Sequence, residues 1–107
     1  MSFDVTLHLE QRAASMRLVG ELDAQAAPRV HELINEAAAH ELDRLVLLMS
    51  ELTYLSSAGL RCLVFAHQKM SPGVEIVLVG TRPKVAETIQ LTGFDRSVTM
   101  QDPASAP

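Results

Sequence analysis

Phe3, Val5, Leu7 and Leu9 alternate with polar residues, so the chain opens on the period of two that marks a half-buried strand. After a polar stretch at residues 11–15, residues 16–19 predict a second short strand ending at Gly20. Together they read as an antiparallel hairpin at a sheet edge. Ala27, Val30, Leu33, Ile34, Ala37 and Ala38 then recur at helical steps. Pro28 fits only the first turn of that helix, which places its start near Ala26. Residues 45–49 are apolar without a break, the pattern of a strand covered on both faces.

Residues 60–70 return to helical spacing, with Leu60, Leu63, Val64 and His67 on one side. A further strand is predicted at 74–79, introduced by the turn Ser71-Pro72-Gly73. Thr81 is the expected cap of a third helix, Pro83 suits its first turn, and Gly93 can end it. Residues 97–100 supply a last short strand. The order β-β-α-β-α-β-α-β predicts an α/β domain built on a mixed, largely parallel sheet with helices packed on it. That domain spans residues 1–100. Residues 101–107 hold two prolines and no large apolar side chain, and read as a disordered tail.

Composition narrows the function. At 107 residues the chain is one domain's length, and its nine basic against thirteen acidic residues leave a net charge of −4. Nucleic-acid binding needs a basic footprint, and stacking on single strands needs aromatic platforms; the chain has no Trp and one Tyr. Cys62 is the lone cysteine, so no internal disulfide forms and a cytoplasmic setting is expected. No apolar run approaches the roughly 20 residues of a membrane span, and the first residues lack a signal peptide's basic and apolar regions.

Chemistry in the ordinary enzymatic sense finds little footing. His8, His31, His40 and His67 show no metal-ligand spacing, and no phosphate loop or nucleophile elbow is present, so no cofactor is expected. Glu32, Glu36 and Glu41 read as a solvated helix face and its end. The chain is read as a binding protein rather than an enzyme, and as a monomer in isolation.

The segment Tyr54-Leu55-Ser56-Ser57-Ala58-Gly59-Leu60-Arg61 joins a central strand to a helix, where open α/β sheets place their sites. Two adjacent hydroxyls stand at a helix start, whose unpaired N–H groups and dipole favour negative charge. One serine as a plain N-cap and one as a phosphate acceptor are both compatible with that position.

Gly20-Glu21-Leu22-Asp23 followed by Ser56-Ser57-Ala58-Gly59-Leu60, then Arg82-Pro83-Lys84-Val85 and Leu91-Thr92-Gly93-Phe94, resembles the STAS domain family over residues 3–100. The likeness is greatest to bacterial anti-sigma-factor antagonists. That resemblance implies a partner switch. The unphosphorylated antagonist binds an anti-sigma factor, itself a serine kinase of the histidine-kinase-like ATPase fold, and so frees a sigma factor. ATP-dependent phosphorylation by the kinase ends the complex, and a PP2C-type phosphatase resets it.

Aligned on Gly59-Leu60, the family's phosphorylated serine falls on Ser57, with Ser56 as second choice. The family's aspartate becomes Ser56, and its second hydroxyl residue becomes Ala58. Altered kinase recognition, acceptance of phosphate at Ser56, or loss of phosphorylation are the consequences left open. The resemblance also implies a partner-binding surface formed by Asp23, Leu55, Ser56, Ser57, Ala58, Gly59 and Arg61, although Asp23 also suits a plain helix cap. An alternative is a constitutive STAS-type subunit, such as a lipid-transport ATPase partner or a stressosome-like scaffold, that never needs phosphate. A final departure lies at the end, where many antagonists carry another amphipathic helix and this chain has only its short tail.

Overall fold

The computed structural model describes residues 2–102. Its elements are β1 (Phe3–Glu10), β2 (Ala13–Leu22), α1 (Ala27–Ala38), β3 (Arg44–Leu55), α2 (Ser57–Lys69), β4 (Glu75–Val79), α3 (Pro83–Leu91), a single 3-10 turn at Phe94–Arg96, and β5 (Thr99–Gln101). One five-stranded sheet runs in the order β1-β2-β3-β4-β5. The first pair is antiparallel and every later pair parallel. Each parallel step needs a crossover, and a right-handed crossover that always advances in one direction lays its helix on the same face.

Burial follows from that one-sided arrangement. Leu45, Leu47 and Met49 of β3 lie in the core with Met16 and Leu18 of β2 and Ile76 and Leu78 of β4. The intervening Val46 and Leu48 are only half-buried. The expectation that both faces of this strand are covered is therefore corrected: its second face carries aliphatic side chains flanked by polar ones. Val46 pairs with Val77 and Leu48 with Val79, so neighbouring aliphatics shield one another there without a second helical layer.

The hairpin differs from expectation in length. Its turn is confined to Gln11 and Arg12, with Gln11 at a positive φ of 55°, and β2 runs on to Leu22. Two register shifts, opposite Arg17–Val19 and Gly20–Glu21, each insert an extra residue on β3, so the alternation of β3 breaks after Met49 and again after Leu52 while β2 keeps its own. Gly20 sits at φ 98°, and a Cβ there would lie 2.3 Å from the Ser2 carbonyl oxygen. That is the physical requirement behind the glycine of Gly20-Glu21-Leu22-Asp23.

The helix α1 buries Val30, Leu33, Ile34 and Ala37 as its spacing predicts, with Pro28 in the first turn. In α2 the buried face shares only Leu63 with the predicted stripe and is completed by Gly59, Cys62 and Ala66. Leu60 and Val64 are half-buried and His67 is exposed, its ring edge-on to Phe94 at 6.1 Å. Small residues turn toward the rest of the protein because the helix packs too closely for larger ones. Burial also pushes the Cys62 thiol up to about 11, and its sulfur lies 3.7 Å from the Ala27 carbonyl oxygen.

Two further expectations change. Arg82, not Thr81, occupies the cap position of α3 and makes no side-chain cap bond; the enclosed Thr81 hydroxyl finds no partner among the described residues. Gly93 does end that helix, at φ 80° with its N–H donating to the Gln90 carbonyl. The last strand begins at Thr99 and includes Gln101, so the first tail residue belongs to the sheet. Residues 103–107 of the expected tail lie outside the described residues.

At the end of the sheet where the parallel strands begin, Arg12 bridges Asp43 and Glu41, and Arg44 meets Glu75. The Arg12 guanidinium, by hydrogen bonding above all, holds the Asp43 carboxyl below the usual aspartate range. Among the described residues, no helix is long and apolar enough to cross a membrane.

Candidate functional site

The opposite end of the sheet, where the parallel strands finish, carries the segment singled out in the sequence. Leu22 closes β2 and pairs in register with Leu55, which closes β3. The residues that follow are Asp23 and Ser56, and the Ser56 N–H donates to the Leu22 carbonyl, so two short motifs separated by more than thirty residues meet at one end of the sheet.

Asp23 is held by its own turn. One carboxylate oxygen accepts from the N–H groups of Gln25 and Ala26 at 3.1 and 3.0 Å, and its carbonyl accepts from Ala27 at 3.0 Å. The side chain thus organises the approach to α1 while remaining half-buried. The expectation that Asp23 caps α1 is corrected: the N-cap is Ala26, with no side-chain cap bond, and Asp23 instead closes the turn ahead of the helix, which fixes where its charge stands.

Ser56 is the N-cap of α2. Its hydroxyl oxygen accepts from the Gly59 N–H at 3.1 Å, and its hydroxyl donates to the Leu22 carbonyl oxygen, also at 3.1 Å. The Ser56 N–H donates to that same carbonyl at 3.0 Å. Ser56 therefore fastens the helix start to the end of β2, and both capacities of its hydroxyl are occupied. Ser56→Ala is expected to lower stability by about 1 kcal/mol, from loss of the cap and of the bond to Leu22. Chemical denaturation would show this as a shifted midpoint at unchanged slope.

Ser57 is the first residue of α2 and is exposed. As the first two helical positions, Ser57 and Ala58 have N–H groups without intrahelical acceptors. Arg61, one turn on, is exposed as well, and Ala58 is half-buried. Leu55 and Gly59 are buried, so these two shape the site from below and offer no surface to a partner. Gly59 has an unexceptional backbone conformation; what it supplies is space. A Cβ there would stand 2.6 Å from the Leu22 carbonyl oxygen and 2.8 Å from side-chain atoms of Leu22 and Leu55.

Two side chains beside this cluster escape a reading of the motifs. Tyr54 is 51% exposed at the end of β3, and its register partner is Glu21 of β2. An aromatic residue just ahead of the serine pair is visible in the sequence, but only the strand register places it beside Glu21. Among the described residues, no group of three His, Cys, Asp or Glu side chains could hold a metal ion.

A strand end, a helix start with one hydroxyl engaged and one exposed, and a carboxylate held in a turn thus share one end of the sheet. The STAS domain matches residues 5–105, and the chain belongs to the STAS domain family. The anti-sigma-F factor antagonist RsfB of Mycobacterium tuberculosis is 28% identical over 96 residues, covering 90% of this chain and 79% of that protein. Among solved structures, an anti-sigma factor antagonist from Mycobacterium paratuberculosis superposes with a TM-score of 0.85 at 24% identity, covering 94% of this chain and 86% of that one. Phosphorylated SpoIIAA, described as a Bacillus cell fate determinant, gives a TM-score of 0.73 at 20% identity, with coverage of 92% and 90%.

Proposed function

We propose that this protein is an anti-sigma factor antagonist whose docking surface is the end of the sheet formed by Asp23, Tyr54, Ser56, Ser57, Ala58 and Arg61. The unphosphorylated form binds an anti-sigma factor that is also a serine kinase, and a sigma factor is released. A phosphoryl group on Ser57 adds about 1.5 to 2 negative charges inside that surface and ends the complex. A PP2C-type phosphatase restores it. The protein itself performs no catalysis, and its setting is the cytoplasm.

The observation that carries this reading is the division of labour between the two serines. Ser56 is committed to the N-cap and to Leu22, whereas Ser57 is exposed on the first turn beside it. The relatives support the role: RsfB is named as an antagonist of an anti-sigma factor, and SpoIIAA is known in a phosphorylated form. The reading is tested by intact mass and fragmentation of the protein taken from its native cells under growth and under stress. One phosphoryl group located on Ser57, and absent from the fraction bound to the anti-sigma factor, is the expected result.

The constitutive alternative rests on Ser56 itself, which stands where the family pattern has an aspartate. Absence of phosphate under both conditions would favour that alternative. Phosphate on Ser56 would overturn the division of labour between the serines while keeping a charge switch.

A further inference from the structure

The two edges of the sheet are treated differently. β5 is three residues long and is followed in the sequence by Asp102 and Pro103, so little of it can accept another strand. β1 is eight residues long, with no proline, no lysine and no bulge, and its pairing with β2 is unbroken from Phe3 opposite Gly20 to Glu10 opposite Ala13. Among the described residues no strand pairs with its outer edge. Phe3, Leu7 and Leu9, on its inward face, are only half-buried against the core.

We infer that β1 is a self-association edge, at which a second copy of this chain pairs antiparallel through the same strand. Register decides how the two copies can pair. Residues opposite each other in an antiparallel pair share a face, so the inward Phe3, Val5, Leu7 and Leu9 must meet inward residues of the partner and the outward Asp4, Thr6, His8 and Glu10 must meet outward ones. Only registers with Val5, Thr6, Leu7 or another single residue on the two-fold axis satisfy this; an axis passing between residues mixes the faces.

Of these, the axis through Leu7 sets Asp4 opposite the partner's Glu10, a like-charge pair. The axis through Val5 pairs only residues 3–7 and leaves half of the inward Leu9 side unused. The axis through Thr6 sets Asp4 opposite the partner's His8, Val5 opposite the partner's Leu7, and Phe3 opposite the partner's Leu9. Each contact occurs twice by symmetry. This register matches faces, brings the acidic Asp4 against an imidazole, and uses nearly the whole strand. The edge thus fits a second copy, in place of the isolated monomer expected by default.

The same register gives a direct test. It places the two Thr6 residues on the axis, with Cα atoms about 4.5–5.5 Å apart, inside the range that a disulfide spans. Thr6 is exposed on the outward face, and the native Cys62 is buried and does not compete. The full-length Thr6→Cys variant, mildly oxidised at high protein concentration, is expected to become mostly disulfide-linked dimer. The His8→Cys variant should stay unlinked, because the two His8 residues are offset by about 14 Å along the strands. Sedimentation of the unmodified protein should show an average mass rising with concentration. A Thr6→Cys protein that remains monomeric, or a His8→Cys protein that crosslinks equally well, would overturn the proposal.

Discussion

Ser57→Asp is expected to weaken binding of the anti-sigma factor about a hundredfold, and Ser57→Ala to leave it within about threefold of the unmodified protein. The contrast follows from where Ser57 stands. A charge placed in a docking face must be desolvated or repelled, and mismatched charges at contacts of this kind cost several kcal/mol. A hundredfold loss corresponds to about 2.7 kcal/mol. The same substitution is benign for the fold, because an acidic residue in the first turn is favoured by the helix dipole by about 0.3–1 kcal/mol. Loss of binding with unchanged or slightly raised thermal stability is therefore the signature, measured by titration calorimetry beside a melting curve. Equal binding by both variants would remove the switch and leave the constitutive subunit.

The site was legible in the sequence to the extent that its chemistry is local. A serine pair at a strand-to-helix junction can be read from residue types and flanking pattern; Asp23 reads as a helix cap, whereas it closes the turn before Ala26, the residue that stands at the cap. What cannot be read is which hydroxyl is engaged. That depends on the Leu22 carbonyl, which reaches Ser56 only because β2 and β3 end in register. The register in turn passes through two shifts that each add a residue to β3, so beyond Met49 its alternation fails and the pattern hides the rest of the strand; β2 keeps its alternation, and Gly20 reads as its end although the strand runs on to Leu22.

The helices divide in the same way. The buried face of α1 is made of large aliphatics and follows the hydrophobic period, so the stripe was read correctly. The buried face of α2 keeps Leu63 of the expected stripe but otherwise consists of Gly59, Cys62 and Ala66, small residues that carry little hydrophobic signal, while Leu60 and Val64 sit at the margin and His67 is exposed. Hydrophobic weight alone rotates the expected face where the controlling quantity is closeness. Thr81 teaches a related lesson: its type suits a cap, but the chain at Arg82 is already extended and the hydroxyl is left enclosed.

Closeness at Gly59 is the basis of the second large effect. Gly59→Ala is expected to lower stability by about 3 kcal/mol, the upper end of what overpacking costs. Two opposing terms decide the sign. In an exposed helix interior alanine would gain about 1 kcal/mol over glycine. Here its Cβ would fall 2.6 Å from the Leu22 carbonyl oxygen, 2.8 Å from Leu22 Cγ and 2.8 Å from a Leu55 methyl. Two of those three atoms are backbone or the branch point of a buried side chain, and neither can swing away. Relief requires the first turn of α2 to lift from β2, which stretches both bonds that Ser56 makes to Leu22. The clash therefore outweighs the propensity gain. For a domain of this size the melting temperature should fall by more than about 10 °C. Because the lifted turn carries Ser57, the variant should also bind the anti-sigma factor more weakly at temperatures where it is still folded. A melting temperature within a few degrees of the parent protein would mean that the helix start yields easily, and that Gly59 does not hold α2 against the sheet.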